Sequence, residues 1–389
     1  MSVSAEQRRR RILEIVQEQG SIRVMDLAEG LGVAPVTARR DVALLADQGL
    51  LQHGYGSASW PERTPAYLPV PVDHARTAAG GPGETFTIGM LVPSATYYYA
   101  EVVRGAQAAA AAAGARLVLG ITGYRPAEDE TQVARLLEAG ADGLLLTPSW
   151  EPEGPTAAQL ERFDDLKLPC VLVERRAASM TSAAGGWDRV CSDHAYGAFL
   201  AVRQLASLGH RRIALAAHRS PAGSGVRSGY FAALEALDLG APAVEPIDTY
   251  SLETNPVGFD TAADRLLDAV RTHGVTAALI HNDVDAIMLI QRLRTLDVRV
   301  PDDLSVIAYD DEVAAYGDTP LSAVKPPKRE VGQAAVEILL ERLGQRRRLG
   351  VDEAARTPRR HLDLLPHLTA RESCQPLVDA PEWINRSKK

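Results

Sequence analysis

Hydrophobic positions in the first sixty residues repeat at helical spacing. Ile12, Ile15 and Val16 mark one helix. Val24, Leu27, Ala28 and Leu31 mark a shorter second one, with Gly32 placed to cap it. A third opens at Pro35, a residue suited to a first helical turn, runs through Val42, Leu45 and Ala46, and stops at Gly49. Residues 50–56 then read as two short strands around a glycine turn.

The pattern changes twice more. Residues 57–84 carry five prolines and three glycines, which predicts a partly extended linker with no core of its own. From Phe86 onward, short apolar runs alternate with helical stretches. The predicted strands are Phe86–Val92, Arg116–Ile121, Gly143–Thr147, Cys170–Glu174, Arg189–Cys191, Ile213–Ala217, Ala277–His281, Leu304–Tyr309 and Leu362–Leu365. Helical patterns fall between them, among them Tyr98–Ala113, His194–Leu208, Val226–Leu237 and Val331–Leu343. Strand–helix alternation over some 280 residues means parallel sheets covered by helices on both faces. That is too many units for one comfortable sheet, so the expectation is an α/β protein with two doubly wound lobes.

Composition refines this picture. The chain has 389 residues, 46% hydrophobic and 24% charged, with a net charge of −8, which fits a folded chain with a sizeable core. The charge is uneven. Residues 1–60 hold seven arginines and seven carboxylates, so all of the −8 lies beyond them. Within that segment the arginines cluster at 8–11 and 39–40. Cys170, Cys191 and Cys374 form no Cys-x-x-Cys pair, which suits a reducing compartment. No run of about 18 apolar residues is present, and the basic N-terminus has no apolar stretch after it, so neither a membrane span nor a secretory signal is expected. The location expected is the cytoplasm.

Motifs for enzymatic chemistry are missing. There is no Gly-x-x-x-x-Gly-Lys-Ser/Thr, no Gly-x-Ser-x-Gly and no His-Glu-x-x-His. Asp310-Asp311 alone makes no metal site, and no catalytic residue, cofactor or metal is expected. The N-terminal pattern is more telling. Two short helices joined by a tight turn, the second opening Pro35-Val36-Thr37-Ala38-Arg39-Arg40, have the shape of a helix-turn-helix. Such a helix fits the major groove, where Pro35, Val36 and Thr37 approach base edges and Arg39 and Arg40 reach phosphate or guanine. A solvated helical face, with Asp41 beside Arg40, is the other reading of the same residues.

The string from Arg11 to Leu51, with Thr37-Ala-Arg-Arg-Asp at its centre, resembles the DeoR-type winged helix-turn-helix over residues 7–58. It departs from that pattern at Ala34, where serine is usual, and in a wing that reads His53-Gly-Tyr55-Gly-Ser. The resemblance implies double-stranded operator DNA as partner, with His53 and Tyr55 as wing contacts.

The rest resembles the sensor of LacI/GalR-type repressors, which shares its fold with periplasmic sugar-binding proteins. Five separated stretches carry the likeness in order: Ile88-Gly-Met-Leu-Val-Pro with Tyr99-Ala-Glu-Val-Val-Arg-Gly-Ala, Leu208-Gly-His-Arg-Arg-Ile-Ala, Ala278-Leu-Ile-His-Asn-Asp, Val300-Pro-Asp-Asp-Leu-Ser-Val-Ile-Ala-Tyr-Asp-Asp, and Leu365-Pro-His-Leu-Thr-Ala-Arg-Glu-Ser. The organisation implied is a head at 1–58, a linker at 59–85, a sensor at 86–373 and a tail at 374–389. Lobe one is expected at about 86–192 and 325–345, and lobe two at about 193–324 and 358–373. Chain crossings are expected near Ser192-Asp193, Val324-Lys325 and residues 346–358.

Ligands of such sheets sit outside the carboxyl ends of strands. Tyr98 and Tyr99, following the first sensor strand, offer aromatic faces and hydroxyls. Asn282 and Asp310 end two strands and suit a polyhydroxylated ligand; a helix cap is the alternative for that turn, with Asp283 the candidate for it. Arg227 and Tyr250 fall near positions where the family places a cleft arginine and an aromatic lid, although Arg227 is one residue out of register. The whole reads as a ligand-responsive regulator of transcription, more readily a repressor, acting as a homodimer on DNA with a sugar-like effector. The alternative is a solute-binding protein of a sugar transport system.

Overall fold

The computed structural model describes residues 8, 11–13, 15–16, 21–31, 33, 38, 42, 45, 52–54, 57–59, 85–151, 154–177, 183–250 and 255–377. The chain separates into Met1–Leu68 and Pro69–Lys389. In the first unit Ile12, Val16, Val24, Leu27, Ala28, Ala38, Val42 and Leu45 form one buried cluster, so the apolar stripes of the three segments face each other. A strand β1 (Ser21–Arg23) precedes helix α1 (Val24–Gly30) and pairs antiparallel with β3 (Ser57–Ser59), which also pairs with β2 (Gln52–Gly54). The wing is thus a three-stranded sheet in the order β1-β3-β2, where the sequence predicts two strands. β1 was missed because three residues, Ser-Ile-Arg, carry almost no periodicity. Pro35, Val36, Thr37, Arg39, Arg40 and Tyr55 lie outside the described residues, as does the side chain of His53, whose backbone is in β2.

The second unit holds two six-stranded sheets. Its elements run β4 (Thr87–Val92), α2 (Tyr98–Ala112), β5 (Arg116–Ile121), α3 (Pro126–Glu138), β6 (Gly143–Leu146), α4 (Ala157–Asp164), β7 (Cys170–Val173), β8 (Asp188–Ser192), α5 (His194–Ser207), β9 (Ile213–Ala217), α6 (Pro221–Ala236), β10 (Ile247–Asp248), α7 (Pro256–Arg271), β11 (Ala277–His281), α8 (Asp283–Arg294), β12 (Ser305–Tyr309), β13 (Ser322–Lys325), α9 (Lys328–Leu349), α10 (Val351–Ala355), β14 (His361–Leu364) and β15 (His367–Thr369). The first sheet, β14-β8-β7-β6-β4-β5, is parallel throughout. The second, β10-β9-β11-β12-β13-β15, is parallel except for its last strand. Strands such as Gly143–Leu146 and Ile213–Ala217 are buried along their whole length, which is why they read as continuous apolar runs rather than alternating ones.

The lobes are therefore real, but their boundary differs from the expectation in one place. The chain passes between sheets after Ser192, between Lys325 and Lys328, and between Leu364 and His367. Residues 346–358 make no crossing, because the helix predicted to end at Leu343 continues to Leu349 and a short helix follows. As a correction, 361–364 belongs to lobe one, where His361–Leu364 pairs parallel with Arg189–Ser192. Only β15 and the residues after it return to lobe two.

Two close helix contacts rest on glycine. A Cβ on Gly332 of α9 would fall 1.9 Å from the Val102 carbonyl oxygen of α2, and one on Gly229 of α6 would fall 2.0 Å from the Ala195 carbonyl oxygen of α5. Backbone meets backbone there, and no rotamer can relieve a clash. Gly332→Ala is accordingly expected to lower stability by about 2 kcal/mol, read as a lower urea midpoint at unchanged slope. The same packing explains a missed boundary. α6 begins at Pro221, capped by the Ser220 hydroxyl, but Gly223 and Gly225 dilute its helical pattern up to Val226. A Cβ at Gly223 would sit 2.0 Å from the His218 carbonyl oxygen, so the glycine there is demanded by packing.

Candidate functional site

Strand order reverses at β4, between β5 and β6, and again at β9, between β10 and β11. These are the topological switch points of the two sheets, where the connections leave in opposite directions and a crevice opens. The segments following the strands converge on a cavity of about 520 Å³. Lobe one supplies Tyr97, Tyr98 and Tyr99 after β4, Tyr124 after β5, and Glu174 and Arg175 after β7. Lobe two supplies His194, His218, His281, Asn282 and Asp310, with Ser220–Ala222 at the start of α6. A second hollow of about 480 Å³ adjoins it through Glu174, Arg175, His194, Pro221 and Ala222, and adds Trp150 and Arg176.

The backbone around this cavity is held in an uncommon conformation. Tyr97, Tyr124, Glu174 and Asp310 have φ of 50°, 59°, 52° and 83°. Left-handed geometry costs a non-glycine residue roughly 1 kcal/mol or more, and it persists where the surroundings fix it. At Tyr97, Glu174 and Asp310 hydrogen bonds do so. Tyr97 lies in lobe one, and its hydroxyl donates to the Asp283 carboxylate and, at 3.2 Å, to Oδ2 of Asp310, both in lobe two. Asp283 is fully buried and also accepts the backbone N–H groups of Val313 and Ala314. Tyr97 thereby latches one lobe to the other. Burial, with both carboxylates beside it, raises the Tyr97 phenol far above its ordinary range, so it stays a donor.

Tyr98 donates to Glu174 Oε1 at 2.7 Å and lies 3.1 Å from the Ser192 hydroxyl. Glu174 in turn accepts from the Ser192 N–H at 3.0 Å and the Ser192 hydroxyl at 2.7 Å, and His194 Nε2 stands 3.7 Å away. Burial alone would raise this carboxyl. Its interaction with the nearby His194 ring and its bonds from Ser192 outweigh that and bring it down to about 2. Tyr99 is different. It is 6% exposed, packs in the lobe-one core, and accepts at its hydroxyl from Arg175, 3.0 Å away. The remaining Arg175 bonds run to the carbonyls of Pro148 and Glu174, at 2.6 and 2.9 Å, which fixes its guanidinium in place.

Asp310 is the most exceptional group. It is buried, and Oδ1 has no hydrogen-bond partner. Desolvation raises its carboxyl, Lys328 and His194 pull it back, Asp283 pushes it up again, and the outcome is about 6. The Lys328 ammonium donates to the Asp310 carbonyl, pairs with Glu312, and sits 5.2 Å over the Tyr98 ring. His281 has the opposite shift: burial first, then its neighbours His194, His218 and Arg227, push it down to about 3. It is therefore neutral at neutral pH, and its Nδ1 is buried without a partner. Unpaired buried polar atoms are costly, and two of them belong to residues that line this cavity.

Of the residues singled out by sequence, Tyr98, Tyr99, Asn282 and Asp310 come together here. Asn282 also caps α8, its Oδ1 accepting the Asp285 N–H at 2.9 Å, so the capping role that the sequence offered to Asp283 falls to Asn282. Arg227 does not line the cavity. Its guanidinium donates to the Ala217 carbonyl and to Asp248 Oδ1, 2.7 and 2.6 Å away, and ties β9 to β10. Tyr250 does not line it either; its ring lies against Gly258 at the start of α7. Sequence reading missed Tyr124, Glu174, Arg175, His194 and His218. A signal was available, because each follows the carboxyl end of a strand within three residues, the same rule that found Asn282 and Asp310.

Among the described residues no group of three or more His, Cys, Asp or Glu side chains is placed to hold a metal ion, and no helix is long and apolar enough to cross a membrane. Residues 8–64 match the family of DeoR-like helix-turn-helix domains, and residues 202–374 that of periplasmic binding protein-like domains. The transcriptional repressor PurR of Vibrio atlanticus is 33% identical over 264 residues, which cover 67% of this chain and 75% of that protein. The ribose operon repressor of Escherichia coli is 30% identical over 267 residues, 67% of this chain and 77% of that one. In fold the chain is similar to a LacI family transcriptional regulator from Enterococcus faecium solved with bound ribose, with a TM-score of 0.58 at 24% identity, covering 75% of this chain and all of that one. A helix-turn-helix match at one end, a two-lobed sensor with a lined cleft, and repressors as relatives along two thirds of the chain agree: this protein belongs to the LacI family of ligand-responsive transcriptional repressors and carries a DeoR-like head.

Proposed function

We propose that the cleft binds a small polyhydroxylated molecule, a sugar or sugar derivative, and that binding changes the affinity of the head for operator DNA. The observation that carries this reading is Asp310: a buried carboxylate in the wall of a cavity lined by tyrosines, with one oxygen that has no hydrogen-bond partner. A carboxylate can accept from two neighbouring hydroxyls, and an aromatic face packs on the C–H face of a sugar ring. Asp310 would accept from ligand hydroxyls on the lobe-two side and the side-chain NH2 of Asn282, whose oxygen caps α8, would donate to one, with Tyr98 and the Glu174–Arg175 pair on the other. Tyr97 would exchange its bond to Asp310 for one to the ligand, so occupancy acts directly on the latch between lobes. Population shift then follows from the ligand's different affinity for the two arrangements.

Operator binding rests on the head, where the helix opening at Pro35 and the wing at His53 and Tyr55 would make the contacts. The head is electrically neutral over 1–60, so its non-specific affinity for DNA is low, and two heads on a homodimer would supply useful operator affinity. The protein would act in the cytoplasm, free of any catalytic role.

A thermal-shift titration with pentoses, hexoses and free purine bases tests the ligand class. A sugar is expected to raise the melting temperature in a saturable way, because it binds only the folded state. Stabilisation by a purine base with none by any sugar would replace this reading with a nucleobase effector stacked on the tyrosines.

A further inference from the structure

One stretch of the sensor that does not line the cleft is dense in arginine. Between residues 342 and 360 there are seven arginines and two carboxylates, in a chain whose net charge is −8. Part of this segment walls a cavity of about 430 Å³ on lobe one, between the C-terminal half of α9, the helix α10, and the turn that leads into β7. Lys167, Arg342, Arg346 and Arg359 line it, and no carboxylate does. The apolar wall comes from Trp187 and Leu168.

The charges here are not all accounted for by internal partners. Arg342 is consumed structurally: it is 4% exposed, clasps Asp188 with bonds of 2.7 and 2.8 Å, and also bonds Gln345, Thr357 and Pro358. Asp188 is fully buried beneath the cavity and offsets one positive charge. Arg359 reaches Asp188 only at 3.5 Å and keeps a third of its side chain exposed. Arg346 donates one Nη1 bond to the Lys167 carbonyl, which aims a half-buried guanidinium along the rim. Four cations against one buried carboxylate leave an excess of positive charge on concave, low-dielectric walls, where the field is focused. Basic residues in the last turn of a helix also complement its dipole, which accounts for Arg346, Arg347 and Arg348 as a group. It does not account for Lys167 and Arg359, which come from other segments and face the same space.

We propose that this cavity is a second effector site, separate from the cleft, that takes a small anion carrying a flat or cyclic apolar body: a phosphate monoester or a carboxylate. The anionic group would sit between Arg346, Arg359 and Lys167, where guanidinium forks pair with two oxygens at once. The apolar body would lie against Trp187 and Leu168. The volume is within the range of small-molecule sites and far above that of one water.

The test uses the full chain with phenyl phosphate and benzoate as probes, followed by calorimetric titration against sodium chloride of equal ionic strength. Saturable binding of either probe is expected, weakened roughly tenfold or more in Arg346→Gln/Arg359→Gln. The double variant should stay folded, with a melting temperature lowered only by loss of the Arg346–Lys167 bond and the long Arg359–Asp188 pair, since the Arg342–Asp188 clasp is untouched, and Arg346→Lys/Arg359→Lys should bind at intermediate strength. Absence of saturation with both probes overturns the proposal. So does equal binding in the glutamine variant, which would place the anion elsewhere, such as at Arg175. A third overturning result is a glutamine variant that flattens the salt dependence of DNA binding while binding no probe, since these arginines would then serve phosphates of DNA.

Discussion

Asp310→Asn is expected to weaken binding of the cleft ligand by roughly a hundredfold or more. Removing one partner from a buried, charge-assisted hydrogen-bond pair costs about 2–5 kcal/mol, which is at least tenfold and commonly far more in affinity. Asparagine is the informative replacement. It keeps the shape, tolerates the left-handed backbone at φ 83°, and removes only the charge and one acceptor. DNA binding without ligand should persist, because Asp310 lies in the sensor and its hydrogen bonds run to Tyr97 and Lys328. The same group sets a pH dependence. With its carboxyl raised to about 6, Asp310 is ionised above that value and protonated below it. A ligand that donates to the carboxylate binds the ionised form, so affinity should be flat above pH 6 and fall towards tenfold per unit below it. Loss of that pH limb in Asp310→Asn would tie the limb to this residue; its survival would assign it to another group.

The largest effect on stability is expected at Arg342. Arg342→Leu removes the bidentate partner of Asp188, a carboxylate with no exposure, and leaves only Arg359 at 3.5 Å and the Arg360 N–H at 2.7 Å. Breaking a buried pair from one side costs about 3–5 kcal/mol, since the remaining charge stays desolvated. Chemical denaturation should show that loss in the sensor. Asp188 is held below the ordinary carboxylate range: burial raises it, but the bonds from Arg342 and Arg360 prevail. A depressed carboxyl gives stability that is present above its unfolded value of 3.8 and is lost as pH falls beneath it. The variant should therefore differ most from wild type near neutrality and converge with it in acid. The double replacement Arg342→Leu/Asp188→Leu should recover much of the loss, because no unpaired charge remains.

How much of this was legible in the sequence depends on how each element declares itself. Strands buried on both faces, such as β6 and β9, stand out as apolar runs, and the helices between them have enough turns to show their period. β13 and β15 do not. Ser322–Lys325 and His367–Thr369 mix polar and apolar residues, and they are strands because of their neighbours β12 and β13, which no local pattern shows. β14 was visible as a strand, but its lobe was not, since pairing with β8 across some 170 residues is a tertiary fact. The cleft divides in the same way. Asn282 and Asp310 could be found because motifs surround them. Glu174 and Arg175 were hidden in a Glu-Arg-Arg run that reads as an ordinary solvated surface, whereas both are more than nine-tenths buried. Arg227 misled because its helix faces the cleft side while its own guanidinium turns to Asp248.

If occupancy of the cleft governs the grip of the head on DNA, titration of sugar into the 389-residue chain bound to a labelled duplex, selected by the protein itself from a random pool, will show it. The expected result is a change of at least about tenfold in DNA affinity on saturation, lost in Asp310→Asn. A sugar that raises the melting temperature through the cleft yet leaves DNA affinity the same in wild type and variant would contradict it.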